Sequence, residues 1–260
     1  MSRRIGKYRI QKKIASGGFA TVYKAMDTVE GVPVALKIPH VDFQSPARVV
    51  EFRREIRLAA ALDHPHILPL KNAEVYDGQL VVAFRLGDES LAQRLRRRVS
   101  TAKALDWAGQ MIEALAYAHS HRIIHCDVKP ENLILFGDEL RLTDFGIARV
   151  ALRTMSASGS GTIGYVAPEQ AMGKPSFRSD VFSAGLVIYR MLAGHVPSWP
   201  FRWPPPRLAR VRKKVPPAFI EFLRKSLRVD HRKRYEDAAA MAAAFDRMQP
   251  AIQRFRRRGR

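Results

Sequence analysis

The segment His125-Cys126-Asp127-Val128-Lys129-Pro130-Glu131-Asn132, followed eleven residues later by Thr143-Asp144-Phe145-Gly146, decides the fold of this chain. It brings Asp127, Lys129, Asn132 and Asp144, a set of acid, ammonium and amide groups, into two short stretches. Upstream, Val34-Ala35-Leu36-Lys37-Ile38 puts Lys37 on an otherwise apolar strand. An unpaired ammonium is costly to bury there, so it needs an anionic partner, and Glu55 on the following helix can supply one. Earlier still, Ile14-Ala15-Ser16-Gly17-Gly18-Phe19-Ala20-Thr21-Val22 joins two strands and, taken alone, reads as a simple hairpin. Downstream stand Gly161-Thr162-Ile163-Gly164-Tyr165 and Ala167-Pro168-Glu169.

The apolar pattern around these segments changes once. Alternation in Tyr8 to Ile14, Thr21 to Met26 and Val32 to Ile38, broken by Ser16-Gly17-Gly18 and Glu30-Gly31, predicts a meander of antiparallel strands. A helix from about Pro46 to Leu62 follows, with Val50, Ile56, Leu58 and Ala59 near one face, then two strands near Leu68 to Val75 and Gln79 to Phe84. After Gly87 the period lengthens from two to nearly four. That change predicts helices over Ser90 to Val99, Thr101 to Ser120, Ser179 to Ala193, Pro217 to Leu227 and Tyr235 to Met248. Ser179 or Asp180 is expected to start the third of these and Gly194 to stop it. Trp199 to Pro206 is a Pro-rich loop, and Pro250 to Arg260 reads as a frayed basic tail.

In order and spacing the motifs resemble the eukaryotic-type protein kinase family, in its bacterial serine/threonine branch, over residues 8 to about 248. The resemblance implies an α+β fold of two lobes. A small antiparallel-sheet lobe with one helix would occupy 1–83, a hinge 84–87 and a larger helical lobe 88–249, with 250–260 as the basic tail. ATP and Mg2+ would bind between the lobes, and phosphate would pass to serine or threonine of a protein substrate. By the resemblance, Lys37 meets the α- and β-phosphates and is held by Glu55, Asp127 accepts the hydroxyl proton, and Lys129 neutralises the γ-phosphate. Asn132 and Asp144 hold the magnesium ions. Ile14, Ala15, Ser16, Gly17, Gly18, Phe19 and Val22 cover the nucleotide, while Ala35 and Ala83 border the adenine. Phe84, Arg85 and Leu86 form the hinge that meets it through backbone groups. Lys129 and Thr162 resemble the serine/threonine type rather than the tyrosine type. Glu169 is expected to pair with Arg234, and Asp180 to tie the catalytic loop to the helix it begins. Such chemistry asks the protein for positioned charge around a migrating anion. His119, His121, His125 and Cys126 also cluster, but their spacing does not suit a metal site on one helix face.

Four departures from the family pattern bear on function. Of three loop glycines only Gly17 remains, beside an extra Gly18, with Ala15 and Ala20 at the outer positions. Alanine forced to positive φ costs about 1 kcal/mol, so weakened ATP affinity is expected. Cys126 replaces an arginine that, in the family, reads a phosphate on the activation segment, so phosphorylation at Ser156, Ser158 and Ser160 is expected to matter only modestly. Cys126 itself reads as a small packing residue. Between Phe201 and Pro216 the chain is short and basic, and a helix that commonly docks substrates is expected to be truncated. Finally, a methyl group at Ala83 is expected to leave an open pocket behind the adenine.

The 260 residues, 47% hydrophobic and 27% charged, suffice for a core and exclude collagen-like and wholly disordered chains. One cysteine cannot form an internal disulfide and fits a reducing compartment. No apolar run is long enough for a membrane span, and residues 1–13 lack the apolar stretch of a signal peptide. A cytoplasmic address is expected, with peripheral membrane contact left open. The net charge of +21 is uneven: residues 207–260 hold seventeen Lys and Arg against five Asp and Glu, a net +12. This block favours an anionic lipid surface. Nucleic acid fits less well, because no aromatic-rich stacking motif accompanies the arginines. The alternative reading is a catalytically weak pseudokinase serving as a basic scaffold on membrane or nucleic acid. The altered glycine loop favours it, and the complete set of Lys37, Glu55, Asp127, Asn132 and Asp144 opposes it.

Overall fold

The computed structural model describes residues 3–17, 20–40, 50, 56–145 and 163–258. Strands β1 (Arg4–Ile5), β2 (Tyr8–Ser16), β3 (Ala20–Asp27), β4 (Val32–Pro39), β5 (Leu70–Tyr76) and β6 (Gln79–Arg85) form one antiparallel sheet in the order β1-β2-β3-β4-β6-β5. The period-two alternation gives this sheet two different faces. Val34, Leu36, Ile38, Val81 and Ala83 pack with Tyr8 and Ala25 on one. Val82 and Phe84 pack with Leu68 and Leu80 on the other, joined by Ala35 and Ile134. Of the helix expected over 46–62, residues 56–60 are helical and 46–49 and 51–55 lie outside the described residues.

The larger part of the chain begins with β7 (Glu89–Ser90), α1 (Leu91–Arg94) and α2 (Thr101–Ser120), followed by β8 (Leu133–Phe136) and β9 (Glu139–Leu142). Strands β7, β8 and β9 make a small second sheet. Then come α3 (Pro168–Ala171), α4 (Phe177–Ala193), α5 (Leu208–Arg212), α6 (Pro217–Ser226) and α7 (Ala238–Arg258). Ser100 starts α2 by accepting the Lys103 N–H. Helix α4 is buried on nearly every side, from Val181 to Ala193, which makes it the axis of the core. It starts after Ser176, three residues before Ser179, where the Ser176 N–H donates to Ser179 Oγ at 3.0 Å, and stops at Gly194 with φ 67.

Two expectations are corrected here. The first helix after the hinge ends at Arg94 rather than Val99. The frayed tail is instead helical through Arg258: Pro250 withholds an N–H from the helix, but Met248 and Ile252 are buried in the core and carry it past the break. The truncated docking helix is α5, five residues long. No helix of the described residues is long and apolar enough to cross a membrane.

Candidate active site

Directly opposed residues of antiparallel strands point to the same face. Val22 lies opposite Lys37, and Lys37 opposite Val82; the neighbouring row is Lys24, Ala35 and Phe84. Between them runs the row Tyr23, Leu36 and Ala83, which points the other way. Val22, Ala35 and Lys37 therefore share one face, and the aromatic ring on that face is Phe84. Among the described residues Ala83 does not face this side, so it does not border the pocket expected there. Its methyl group is buried with Leu36 and Tyr8 on the far side of the sheet, while Phe84 occupies the near side. The ungapped match of β6 to the hinge assumed the opposite facing, and a one-residue shift in that match reverses the face.

On this face Lys37 Nζ meets Asp144 Oδ1 at 2.7 Å. Asp144 turns toward it with φ 71, a left-handed conformation that aspartate tolerates. Burial opposes ionisation of Asp144, but Lys37 first, with His125 and Lys129, outweighs it and holds the carboxyl below its ordinary range. Glu55, the anionic partner expected for Lys37, lies outside the described residues.

The catalytic loop is hung from one buried carboxylate. Asp180 accepts the backbone N–H of His125 at 2.7 Å and of Cys126 at 2.9 Å. The same group takes His119 Nε2 at 3.0 Å, while His119 Nδ1 accepts the Ala238 N–H at 3.0 Å, which fixes the tautomer. Cys126 is held at φ 66, and its carbonyl accepts Gln170 Nε2 at 2.5 Å. His125 Nδ1 accepts the Asp127 N–H at 3.1 Å, so its Nε2 donates to the Thr143 carbonyl at 2.8 Å. The four histidine and cysteine positions are thus spread among structural tasks along the loop and helix, His121 bonding its own helix at Tyr117.

Asp127 projects from this loop. Asn132 Nδ2 donates to its carbonyl and to Oδ2, both at 2.8 Å, and Lys129 Nζ sits 2.8 Å from Oδ2. Two acceptors at Nδ2 orient the amide and leave Asn132 Oδ1 as an oxygen donor. That oxygen and the Asp144 carboxylate are hard ligands of the kind magnesium takes, so the donor set fits the ion.

The floor and hinge contain residues that sequence reasoning missed. Ile134 of β8 packs with the Phe84 cluster. A Cβ on Gly87 would lie 2.3 Å from Ile134 Cγ2 and 2.9 Å from the Leu135 carbonyl, so only glycine lets the hinge approach β8 this closely. Asp88 N–H then donates to Leu135 O at 2.9 Å. In the loop after β2, Gly17 N–H donates to Ala20 O at 2.9 Å; Gly18 and Phe19 lie outside the described residues. Neither Ala15 nor Ala20 has a positive φ, so the strain expected at those positions does not arise. Ile14 and Ser16 are exposed beside the loop, and Leu86 is half-buried in the hinge. Ser156, Ser158, Ser160 and Thr162 lie outside the described residues. Beyond the loop, Arg234 grips Glu169 at 2.8 and 3.0 Å, as expected from the sequence, and Ser179 Oγ donates to the same carboxylate at 2.7 Å.

A family model described as the protein kinase domain matches residues 8–245. The chain belongs to the protein kinase family. The fold is accordingly the protein kinase fold, an antiparallel sheet lobe followed by a helical lobe. Among curated relatives of this kinase, serine/threonine-protein kinase PknA of Mycobacterium tuberculosis is 38% identical over 207 residues, 74% of this chain and 48% of that protein. Serine/threonine-protein kinase pkn2 of Myxococcus xanthus is 37% identical over 216 residues, 78% of this chain and 26% of that protein. The kinase thus spans less than half the length of these relatives. Among solved structures, a point-mutant form of the Mycobacterium tuberculosis PknI kinase domain superposes with a TM-score of 0.74 at 25% identity, covering 95% of this chain and 97% of that one.

Proposed function

We propose that this kinase transfers the γ-phosphate of ATP to serine or threonine of protein substrates. One observation carries the proposal: Lys37 meets Asp144 at 2.7 Å while Lys129 and Asn132 converge on Asp127 Oδ2 at 2.8 Å, so cation, metal ligand and base stand in working pairs. Both neighbours of Asp127 take Oδ2, which leaves Oδ1 for an incoming hydroxyl; accepting its proton raises the nucleophilicity of the attacking oxygen. Lys129 follows the proton acceptor and balances charge on the moving phosphoryl group, and Lys37 orients the phosphates that stay behind. Mg2+, held by Asp144 and Asn132, would offset negative charge on the phosphate oxygens. Ala35, Val22 and Ile134 would enclose the adenine, with Phe84 closing the back and residues 85–87 supplying backbone contacts. Residues 1–249 would form the kinase domain. The net +12 of residues 207–260 supports a peripheral place on anionic lipid, at a cytoplasmic address.

The test is incubation with labelled ATP, Mg2+ and a generic basic protein beside Asp127→Asn. Phosphate transfer should fall by at least about a hundredfold in the variant, with labelled serine and threonine recovered from the wild-type product. Equal transfer by the variant would overturn the assignment.

A further inference from the structure

We infer that the large lobe carries a second anion site, suited to a small molecule bearing two or more phosphate groups. It is a cavity of about 590 Å³ between α6, residues 228–235 and α7, remote in the fold from Lys37 and Asp144. Five cations line it: Arg224, Lys225, Arg228, Lys233 and Arg247. Against them, the described lining holds one carboxylate, Glu221, whose Oε2 stands 3.6 Å from Arg224. Asp230 is close in sequence, but Arg232 and its own backbone N–H already occupy it.

Arg224, Lys225, Arg228 and Lys233 follow one another along α6 and the turn after it, and the packing of α7 adds Arg247 from further along the chain. Some surface arginines do find acidic partners, as Arg141 does with Glu139 and Arg97 with Glu89. Among the described residues Arg228, Lys233 and Arg247 form no ion pair, and the buried Nε of Arg224 has no hydrogen-bond partner. Like charges held this close repel one another, and an anion among them would relieve the repulsion and satisfy the open donors. The site is also rigid. Buried Arg234, locked to Glu169, donates to the carbonyls of Arg228 at 2.6 Å and Val229 at 3.2 Å, which fixes the turn that carries Arg228. Lys225 Nζ rests 4.3 Å from the centre of the Tyr235 ring. Little ordering is left for binding to impose. The volume exceeds what one phosphate fills, and Phe222, Tyr235 and Met248 offer an apolar wall to the body of a larger ligand.

Titration calorimetry with inositol hexakisphosphate tests this on the whole chain, with Lys37→Met run in parallel to remove the nucleotide cleft as a source of heat. Arg228, Lys233 and Arg247 are exposed, so their joint replacement by alanine leaves the core untouched. Each charge-assisted contact is worth enough that the triple variant should bind at least about tenfold more weakly. Replacing Arg9, Lys12 and Lys13 of β2 removes the same charge from the other lobe and should cost less than about threefold. A second arm uses vesicles bearing phosphorylated inositol headgroups: retention that the same triple variant loses would name a lipid as the source, and binding confined to the soluble compound would name a free metabolite. Equal loss in the two triple variants, or no heat with the wild type, would overturn the site.

Discussion

Phe84→Ala is expected to open the space that Ala83 was expected to leave. Phe84 stands opposite Ala35 on the face of Lys37, is 9% exposed, and belongs to the cluster of Leu68, Leu80 and Val82. Removing a buried ring costs about 3–5 kcal/mol, so the variant should fold but unfold at a lower urea midpoint. The vacated volume then lies behind the adenine. A naphthyl or benzyl group on an adenine-like inhibitor that buries about 80 Å² there gains about 2 kcal/mol at about 25 cal/mol per Å², or about thirtyfold in affinity. The assay is displacement of a fluorescent nucleotide by paired inhibitors with and without the added group, on wild type, Phe84→Ala and Ala83→Phe. Wild type should show no preference for the bulky inhibitor and Phe84→Ala a strong one. Ala83→Phe should overpack the Leu36 and Tyr8 side, losing about 1–3 kcal/mol of stability while binding nucleotide as before. A wild-type preference for the bulky inhibitor, abolished by Ala83→Phe, would refute the strand register and return residue 83 to the cleft.

Asp180→Ala should orphan the N–H groups of His125, Cys126 and His119 Nε2; at about 1–3 kcal/mol per buried donor the loss should reach at least about 3 kcal/mol by urea titration, and an unchanged midpoint would contradict its role. For Glu169, burial pushes the pKa up, but Arg234 and then Ser179 outweigh it and the net shift is downward. The folded state therefore binds fewer protons than the unfolded one, and the pair's contribution, complete above the ordinary carboxylate range, is lost as pH falls through the depressed value. Between about pH 6 and about pH 3 the urea midpoint should thus fall more steeply in wild type than in Glu169→Gln, and parallel slopes would argue against it. Gly87→Ala forces Ile134 or the Leu135 carbonyl to move, so it should cost about 1–3 kcal/mol and weaken nucleotide binding; full stability would mean that the hinge is looser than its contacts indicate.

Periodicity alone located most elements. The expected helix Thr101 to Ser120 coincides with α2, and the strands expected near Tyr8, Thr21 and Val32 are β2, β3 and β4. Local pattern suffices there because a half-buried strand or helix must alternate its apolar residues at its own period. The family resemblance singled out Lys37, Asp127, Lys129, Asn132 and Asp144, and the fold brings Lys37 to Asp144 and Lys129 and Asn132 to Asp127; it also pointed to the long-range pair of Glu169 and Arg234. The resemblance also implied that Asp180 ties the catalytic loop to its helix, though not that His119 shares the task.

Facing was the harder property. Whether Ala83 or Phe84 looks into the cleft depends on the pairing of β6 with β4, and a one-residue slip inverts every side chain while leaving the apolar pattern intact. Gly87 and Ile134 acquired meaning only from their contact across strands that are far apart in sequence. Pro250 signals a break by local rules, and burial of Ile252 overrides it. Four cations of the second cavity are close in sequence, on α6 and the following turn, but only the packing of α7 brings Arg247 and the apolar wall of Met248 to them. The sequence by itself determined the family and most of where the helices and strands run; tertiary packing decided how far the last helix extends and which face each residue presents, because those choices rest on contacts between segments that no local pattern records.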